Sequence, residues 1–257
     1  MALTDPEMAS VDETGEVVLV TGAAGGLGEA ISAAFVARGA RVVVSDLDGE
    51  AAERVAVSLR EQGGRAESVQ LDASSRTDVE STVDKVVAGE GRLDVVVSLA
   101  GVVRNDFTTA ISDEDFRLVM ATHVDGTLNA MRAALPHMKE RGYGRLVNMS
   151  SVAVRGSLGG GSYAAAKGAI EGLTRSAAME SARYGVTVNC VAPGLVDAGM
   201  FRAIPEEFQE KFAGRVPMRR VARPDEIAAV VAFFASREAS YVTGQSLYVC
   251  GGSSLGF

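Results

Sequence analysis

The sequence predicts an α/β fold: one doubly wound domain with a parallel sheet of about seven strands and helices on both faces. Three observations carry this. Short apolar runs rich in Val and Leu alternate with longer helical stretches from Val17 to Cys250. The first run leads straight into a glycine-rich turn and then a helical stretch. No internal repeat, linker or second such series interrupts the 257 residues.

In order, Val17–Thr21 is a buried strand, followed by the turn from Gly22 to Gly28 and an apolar-periodic helix over Ile31–Ala37. Arg41–Asp46 is the second strand. Glu50–Gln62 is a helix stopped by Gly63 and Gly64. Ala66–Leu71 is a third strand and Val79–Val87 lies in a helix. Leu93–Ser98 is a fourth strand. Phe116–Met138 reads as one long helix, with Gly142 and Gly144 beyond it. Arg145–Ser150 is a fifth strand, and the Ala-rich stretch through Gly168–Ala182 is a helix. Val186–Val191 is a sixth strand, Asp225–Ser236 a helix led by Pro224, and Ser246–Cys250 the last strand. Residues 201–220 are mixed and polar, and the pattern assigns them no element.

Composition bounds the partners. The chain is 47% apolar and 23% charged, with a net charge of -8. An acidic chain without basic clusters argues against nucleic acid or an anionic membrane as partner. No apolar run approaches the ~20 residues of a membrane span. Residues 1–16 are polar and acidic, contain Pro6 and Gly15, and lack the basic start of a signal peptide. They read as a flexible tail, with residues 17–257 as the folded domain and the cytoplasm as the default location. Cys190 and Cys250 sit in apolar runs and read as buried free thiols. With only two histidines, His123 and His137, a structural zinc site is not expected, and no metal is assigned.

The chemistry lies at the carboxyl ends of the strands, where open α/β sheets bind ligands. Strand, glycine turn, helix is the setting in which free N–H groups at a helix N-terminus meet a pyrophosphate. Asp46 follows Gly28 by 18 residues, the place of an acid that binds the ribose hydroxyls of NAD and repels a 2'-phosphate. Gly25 and Leu47 are neutral where an NADP site often has a basic residue. Asp72, Ala100, Ser150, Ser151, Pro193 and Gly194 fall at the same ends. Tyr163 and Lys167, four apart on a helix, share a face. Lys167 there is expected to lower the Tyr163 phenol and make it a general acid or base.

With these residues in view the chain resembles the short-chain dehydrogenase/reductase family over nearly all of Val17–Gly252, a family of Rossmann-type fold. Thr21-Gly22-x-x-x-Gly26-x-Gly28 matches its cofactor motif, and Ser150-Ser151 with Tyr163-x-x-x-Lys167 its active-site motif. Asn189, Arg223-Pro224-Asp225-Glu226 and Tyr241-Val-Thr-Gly244 match further landmarks. The resemblance implies an NAD site at Gly22, Gly25, Gly26, Leu27, Gly28, Asp46, Leu47, Asp72, Ala73, Ala100, Gly101, Tyr163, Lys167, Pro193, Gly194 and Val196. It implies catalysis by Ser151, Tyr163 and Lys167, with His123 where the family often places a relay asparagine. There are departures. Ser98-Leu99-Ala100-Gly101 stands for the usual Asn-Asn-Ala-Gly, and Ala198 for a frequent threonine. Ser150 has the family's usual spacing to the tyrosine, whereas the Ser-Ser-Val context favours Ser151. His123 has two readings: a titrating relay, or a packed side chain bonded to a backbone carbonyl.

Three functions compete. The first is an NAD-dependent oxidoreductase acting on a secondary alcohol or ketone. The second is a reductase of 3-oxoacyl thioesters. The third is a non-catalytic dinucleotide-binding protein. The substrate pocket is expected along Val102–Phe107, Val154–Ser162 and Gly194–Phe212, with Arg104, Arg155 and Arg202 as candidate contacts. The resemblance further implies a homotetramer, built with the long helices of Phe116–Met138 and Ser162–Arg183 and with the C-terminal strand.

Overall fold

The computed structural model describes residues 15–202 and 204–255. Seven strands form one parallel sheet: β1 (Val17–Thr21), β2 (Arg41–Asp46), β3 (Arg65–Gln70), β4 (Val95–Ser98), β5 (Gly144–Met149), β6 (Val186–Pro193) and β7 (Ser246–Val249). Their spatial order is β3-β2-β1-β4-β5-β6-β7. The chain therefore reverses direction across the sheet between β1 and β4, which opens a crevice at their carboxyl ends. The central strands β1, β4, β5 and β6 are buried throughout, because helices cover both faces. β3, at one edge, is polar and half-exposed.

One face carries α1 (Gly26–Ala37), α2 (Gly49–Glu61) and α9 (Pro224–Ala235), whose Ile31, Phe35, Leu59, Ile227, Val231 and Phe234 pack on the strand valines. The other carries α3 (Arg76–Glu90), α5 (Gly126–Arg141) and α6 (Gly161–Ser181), with Val79, Val83, Met131, Met138 and Ala177 in the core. Several helices start where the sequence supplies side-chain caps. Asp48, Ser75 and Ser112 accept bonds from the N–H groups of Ala51, Asp78 and Asp115.

The long helix differs from its expectation. It begins at Asp113, where Ser112 caps it, and runs to Arg141 as two pieces, α4 (Asp113–Met120) and α5. A π-helical turn, Ala121–Asp125, lies between them. The Thr127 hydroxyl donates to the His123 carbonyl and that of Thr122 to the Leu118 carbonyl, side-chain bonds that accompany the widened turn. Such turns re-aim side chains, and this one carries His123. The unassigned stretch holds two short helices, α7 (Gly199–Arg202) and α8 (Glu206–Ala213). Of the expected tail, only Gly15 and Glu16 are described. Glu16 belongs to the domain: it is buried, its carbonyl accepts from the Arg41 N–H, and its carboxylate accepts from the Tyr143 hydroxyl at 2.8 Å.

Candidate active site

A cleft of about 890 Å³ opens at the carboxyl ends of the strands. Its wall combines the glycine turn with Gly101, His123, Ser150, Ser151, Tyr163, Lys167, Pro193, Gly194 and Val196. Gly22 has φ +67, and a Cβ there would sit 2.6 Å from the Ala100 Cα; only glycine lets the two loops touch. Gly25 caps α1 without a side chain, so the first N–H groups of that helix have no side-chain cap.

Tyr163 stands on the first turn of α6, two residues past its start, with Lys167 one turn on. The Ser151 hydroxyl faces the Tyr163 phenol and favours its ionisation, but burial dominates and pushes the phenol above its ordinary value. This corrects the expectation that Lys167 lowers it. The Lys167 Nζ donates to the Met149 carbonyl at 2.8 Å and lies 5.3 Å from the tyrosine ring centroid. Burial brings Lys167 itself down to about 8.

The two serines part company at the end of β5. Ser150 is buried and donates to the Glu171 carboxylate at 3.0 Å and the Lys167 carbonyl at 3.4 Å. Ser151 starts a 3₁₀ turn, Val152–Arg155, and its hydroxyl accepts the Ala153 N–H at 3.2 Å.

His123 is buried and stands edge-on to Tyr163, ring centroids 5.3 Å apart and planes at 79°. Its Nε2 donates to the Val102 carbonyl at 2.8 Å, which leaves Nδ1 as a buried acceptor without a partner. A Cβ on Gly101 would lie 2.0 Å from the imidazole, so this glycine makes room for the histidine. Burial first, and the Lys167 charge second, lower His123 to about 3.

Asp46, Leu47, Asp72, Ala73 and Ala100 lie outside the cleft lining. The Asp46 carboxylate accepts from Ala24 N–H at 3.0 Å and Asp48 N–H at 3.2 Å, which ties the end of β2 to the glycine turn. Leu47 beside it is exposed. Asp72 accepts from the Ser74 backbone and hydroxyl, and Asn129 donates to the Ala73 carbonyl, fixing the loop after β3. Asn189 clamps β6 to the segment entering β7, donating to the Val242 carbonyl and accepting the Gln245 N–H.

Arg104 and Arg202, candidate substrate contacts, are instead paired with Asp115 and Asp197. Cys190 is buried, whereas Cys250, just past β7, is only partly so. Sequence reasoning missed Ser253 and Ser254 in the lining. Their signal was available: they follow the last strand at its carboxyl end.

The family model described as enoyl-(acyl carrier protein) reductase matches residues 22–254. A subunit of (2S)-[(R)-hydroxy(phenyl)methyl]succinyl-CoA dehydrogenase from Thauera aromatica is 36% identical over 239 residues, covering 93% of this chain and 96% of that one. Meso-2,3-butanediol dehydrogenase from Serratia marcescens is 39% identical over 240 residues, covering 93% and 94%. The crystal structure of levodione reductase superposes with a TM-score of 0.91 at 31% identity, covering 94% of this chain and 98% of its own. The chain belongs to the short-chain dehydrogenase/reductase family of oxidoreductases.

That family uses a nicotinamide dinucleotide, and the cleft fits a polyanion of this kind. Among the described residues no Asp or Glu lines it, Lys167 does, and at Gly25 an added Cβ would meet nothing within 4 Å. Gly22–Gly28 would hold the pyrophosphate at the α1 N-terminus, and Lys167 and Pro193–Val196 the nicotinamide half.

Proposed function

We propose that this protein is an NAD-dependent oxidoreductase interconverting a secondary alcohol and a ketone, with Tyr163 as general acid/base. The observation that carries the reading is the convergence of the Tyr163 phenol, the Ser151 hydroxyl and the Lys167 ammonium on one cleft that begins at the glycine turn. Held there by Gly22–Gly28, Lys167 and Pro193–Val196, a nicotinamide dinucleotide would supply the hydride acceptor for oxidation and the hydride donor for reduction. Tyr163 takes the hydroxyl proton in oxidation and returns it in reduction. Ser151 hydrogen-bonds the substrate oxygen and orients it. Lys167, pinned by the Met149 carbonyl, supplies fixed positive charge beside the phenol below about pH 8. His123 braces the tyrosine ring as a positioning residue.

NAD is the preferred cofactor because Asp46 closes the adenosine end with a carboxylate where a 2'-phosphate would lie, and Leu47 offers no cation. A 3-oxoacyl thioester reductase is the second reading, favoured by the description of the matching family model. One experiment separates these. kcat/KM is measured with NAD(H) and NADP(H) across alcohols, ketones and acyl thioesters, for wild type, Asp46→Ala and Tyr163→Phe. The expected result is NAD preference, eroded in Asp46→Ala, and a loss of about 100-fold or more in kcat for Tyr163→Phe with NADH still bound. Preference for NADP and an acyl thioester would replace the first reading with the second. Absence of any turnover would leave a non-catalytic dinucleotide-binding protein.

A further inference from the structure

In a protein of net charge -8, the cleft is lined by two cations and, among the described residues, by no carboxylate. Lys167 is buried and committed to the Met149 carbonyl. Arg155 is exposed, at the end of the 3₁₀ turn that Ser151 starts, and no described carboxylate pairs with it. Its guanidinium lies over the Tyr248 ring, 4.9 Å from the centroid. The Tyr248 hydroxyl donates in turn to Glu171 at 3.4 Å. The ring covers the guanidinium from one side, and no described hydrogen bond occupies its N–H groups, which can take a planar two-oxygen anion.

The cofactor does not account for this charge. Tyr248 is on β7, four strands from β1 and its glycine turn, about 19 Å across the sheet at the usual strand spacing. Arg155 sits instead on the substrate side, in the same turn as Ser151. Arg104 and Arg202, the other candidate substrate contacts, are paired with Asp115 and Asp197.

We propose that Arg155 is a specificity-determining residue that binds a carboxylate on the substrate, so that the enzyme acts on hydroxy acids and oxo acids. The carboxylate stands several bonds from the reacting carbon. Arg155 lies four residues on from Ser151, a backbone rise on the order of 8 Å along the 3₁₀ turn, so a 2-oxo acid is the least suited to reach both. This rests on the alcohol–ketone reading above and names its substrate class.

The test uses three oxo acids of increasing length, pyruvate, acetoacetate and levulinate, each beside its methyl ester. Binding to the NADH-loaded protein is followed by calorimetry, and NADH oxidation gives kcat/KM. The variants are wild type, Arg155→Gln and Arg155→Lys. The expected result is a preference for levulinate over its ester, with pyruvate poorest. In Arg155→Gln the acid-to-ester ratio falls about 30-fold, in KM rather than kcat, the loss of one charge-assisted pair. Arg155→Lys recovers part of it. Equal use of acid and ester by wild type overturns the proposal. So does an Arg155→Gln that weakens both alike, or one whose mass by light scattering changes, which would make Arg155 a packing or interface residue. Arg155-dependent preference for acetoacetyl-CoA over levulinate overturns the carboxylate in favour of a phosphate. Arg155-dependent binding of levulinate without turnover sustains this site and sinks the proposed reaction, so the two failures are distinct.

Discussion

His123 shows what a single side chain contributes. A histidine facing solvent titrates near its ordinary value, but this one is walled in by Gly101 and Tyr163 and feels the Lys167 charge. Its pKa of about 3 means that the folded protein keeps it neutral across the working pH range, and the geometry favours the packed reading of this residue over the titrating relay. The consequence falls on stability. Between about pH 6.5 and 3 the unfolded chain binds a proton at this residue that the folded one does not, so stability drops as pH falls through that window. The slope from this one group approaches ~1.4 kcal/mol per pH unit. Urea unfolding followed from pH 7 to pH 4 should therefore be shallower in pH for His123→Asn than for wild type. The kcat profiles of the two should coincide above pH 5. An acid limb that moves with the substitution would restore a relay role to the histidine.

At the scale of elements, the end of β5 gives two adjacent serines different partners. Both serines follow β5 and meet α6, but at different places along it. Ser150 bonds Glu171, further along the helix, whereas Ser151 faces Tyr163 on its first turn. Spacing to the tyrosine pointed to Ser150 and the Ser-Ser-Val context to Ser151, and it is the Ser151 hydroxyl that faces the phenol. Ser151→Ala should lower kcat by about 100-fold, the usual loss of a hydroxyl that holds a reacting oxygen. Ser150→Ala should instead cost stability, about 1–2 kcal/mol, since the half-buried Glu171 loses a partner. The opposite pattern in kcat and in urea midpoints would reassign the active serine. The same scale shows what sequence conveys. β1, β2 and β6 were readable to within a residue or two, because valine runs between glycine or acidic ends have few other ways to fold. The π turn at Ala121–Asp125 was not readable, because it depends on where Thr122 and Thr127 place their hydroxyls. α7 and α8 were hidden because they are short, four and eight residues, too few turns for a helical period to stand out. Pairing of Arg104 with Asp115 and of Arg202 with Asp197 likewise joins residues across loops whose paths the sequence does not record.

The whole molecule leaves apolar surface uncovered in the places where the sequence resemblance put subunit contacts. Phe116 and Leu118 on α4 are exposed, and Met179 on α6 is 85% exposed. At the other end Leu247 on β7 is exposed and Tyr241, just before it, is 101% exposed. β7 is also an edge strand, with one side of its backbone unpaired within the sheet. Scattered apolar side chains are ordinary on a protein surface. These, however, fall into two sets on separate elements, one on the α4 and α6 helices and one at the β7 edge. Two patches per chain, each meeting its own copy across a two-fold axis, would generate a closed assembly of four. We therefore expect a homotetramer, with a mass by light scattering at micromolar concentration of about four times the 26.7 kDa of one chain. Met179→Glu should weaken one contact and Tyr241→Glu the other, each moving the mass toward a dimer, and the pair together toward the single chain. A monomeric wild type at micromolar concentration would refute the tetramer, and an unchanged mass in both variants would place its interfaces elsewhere.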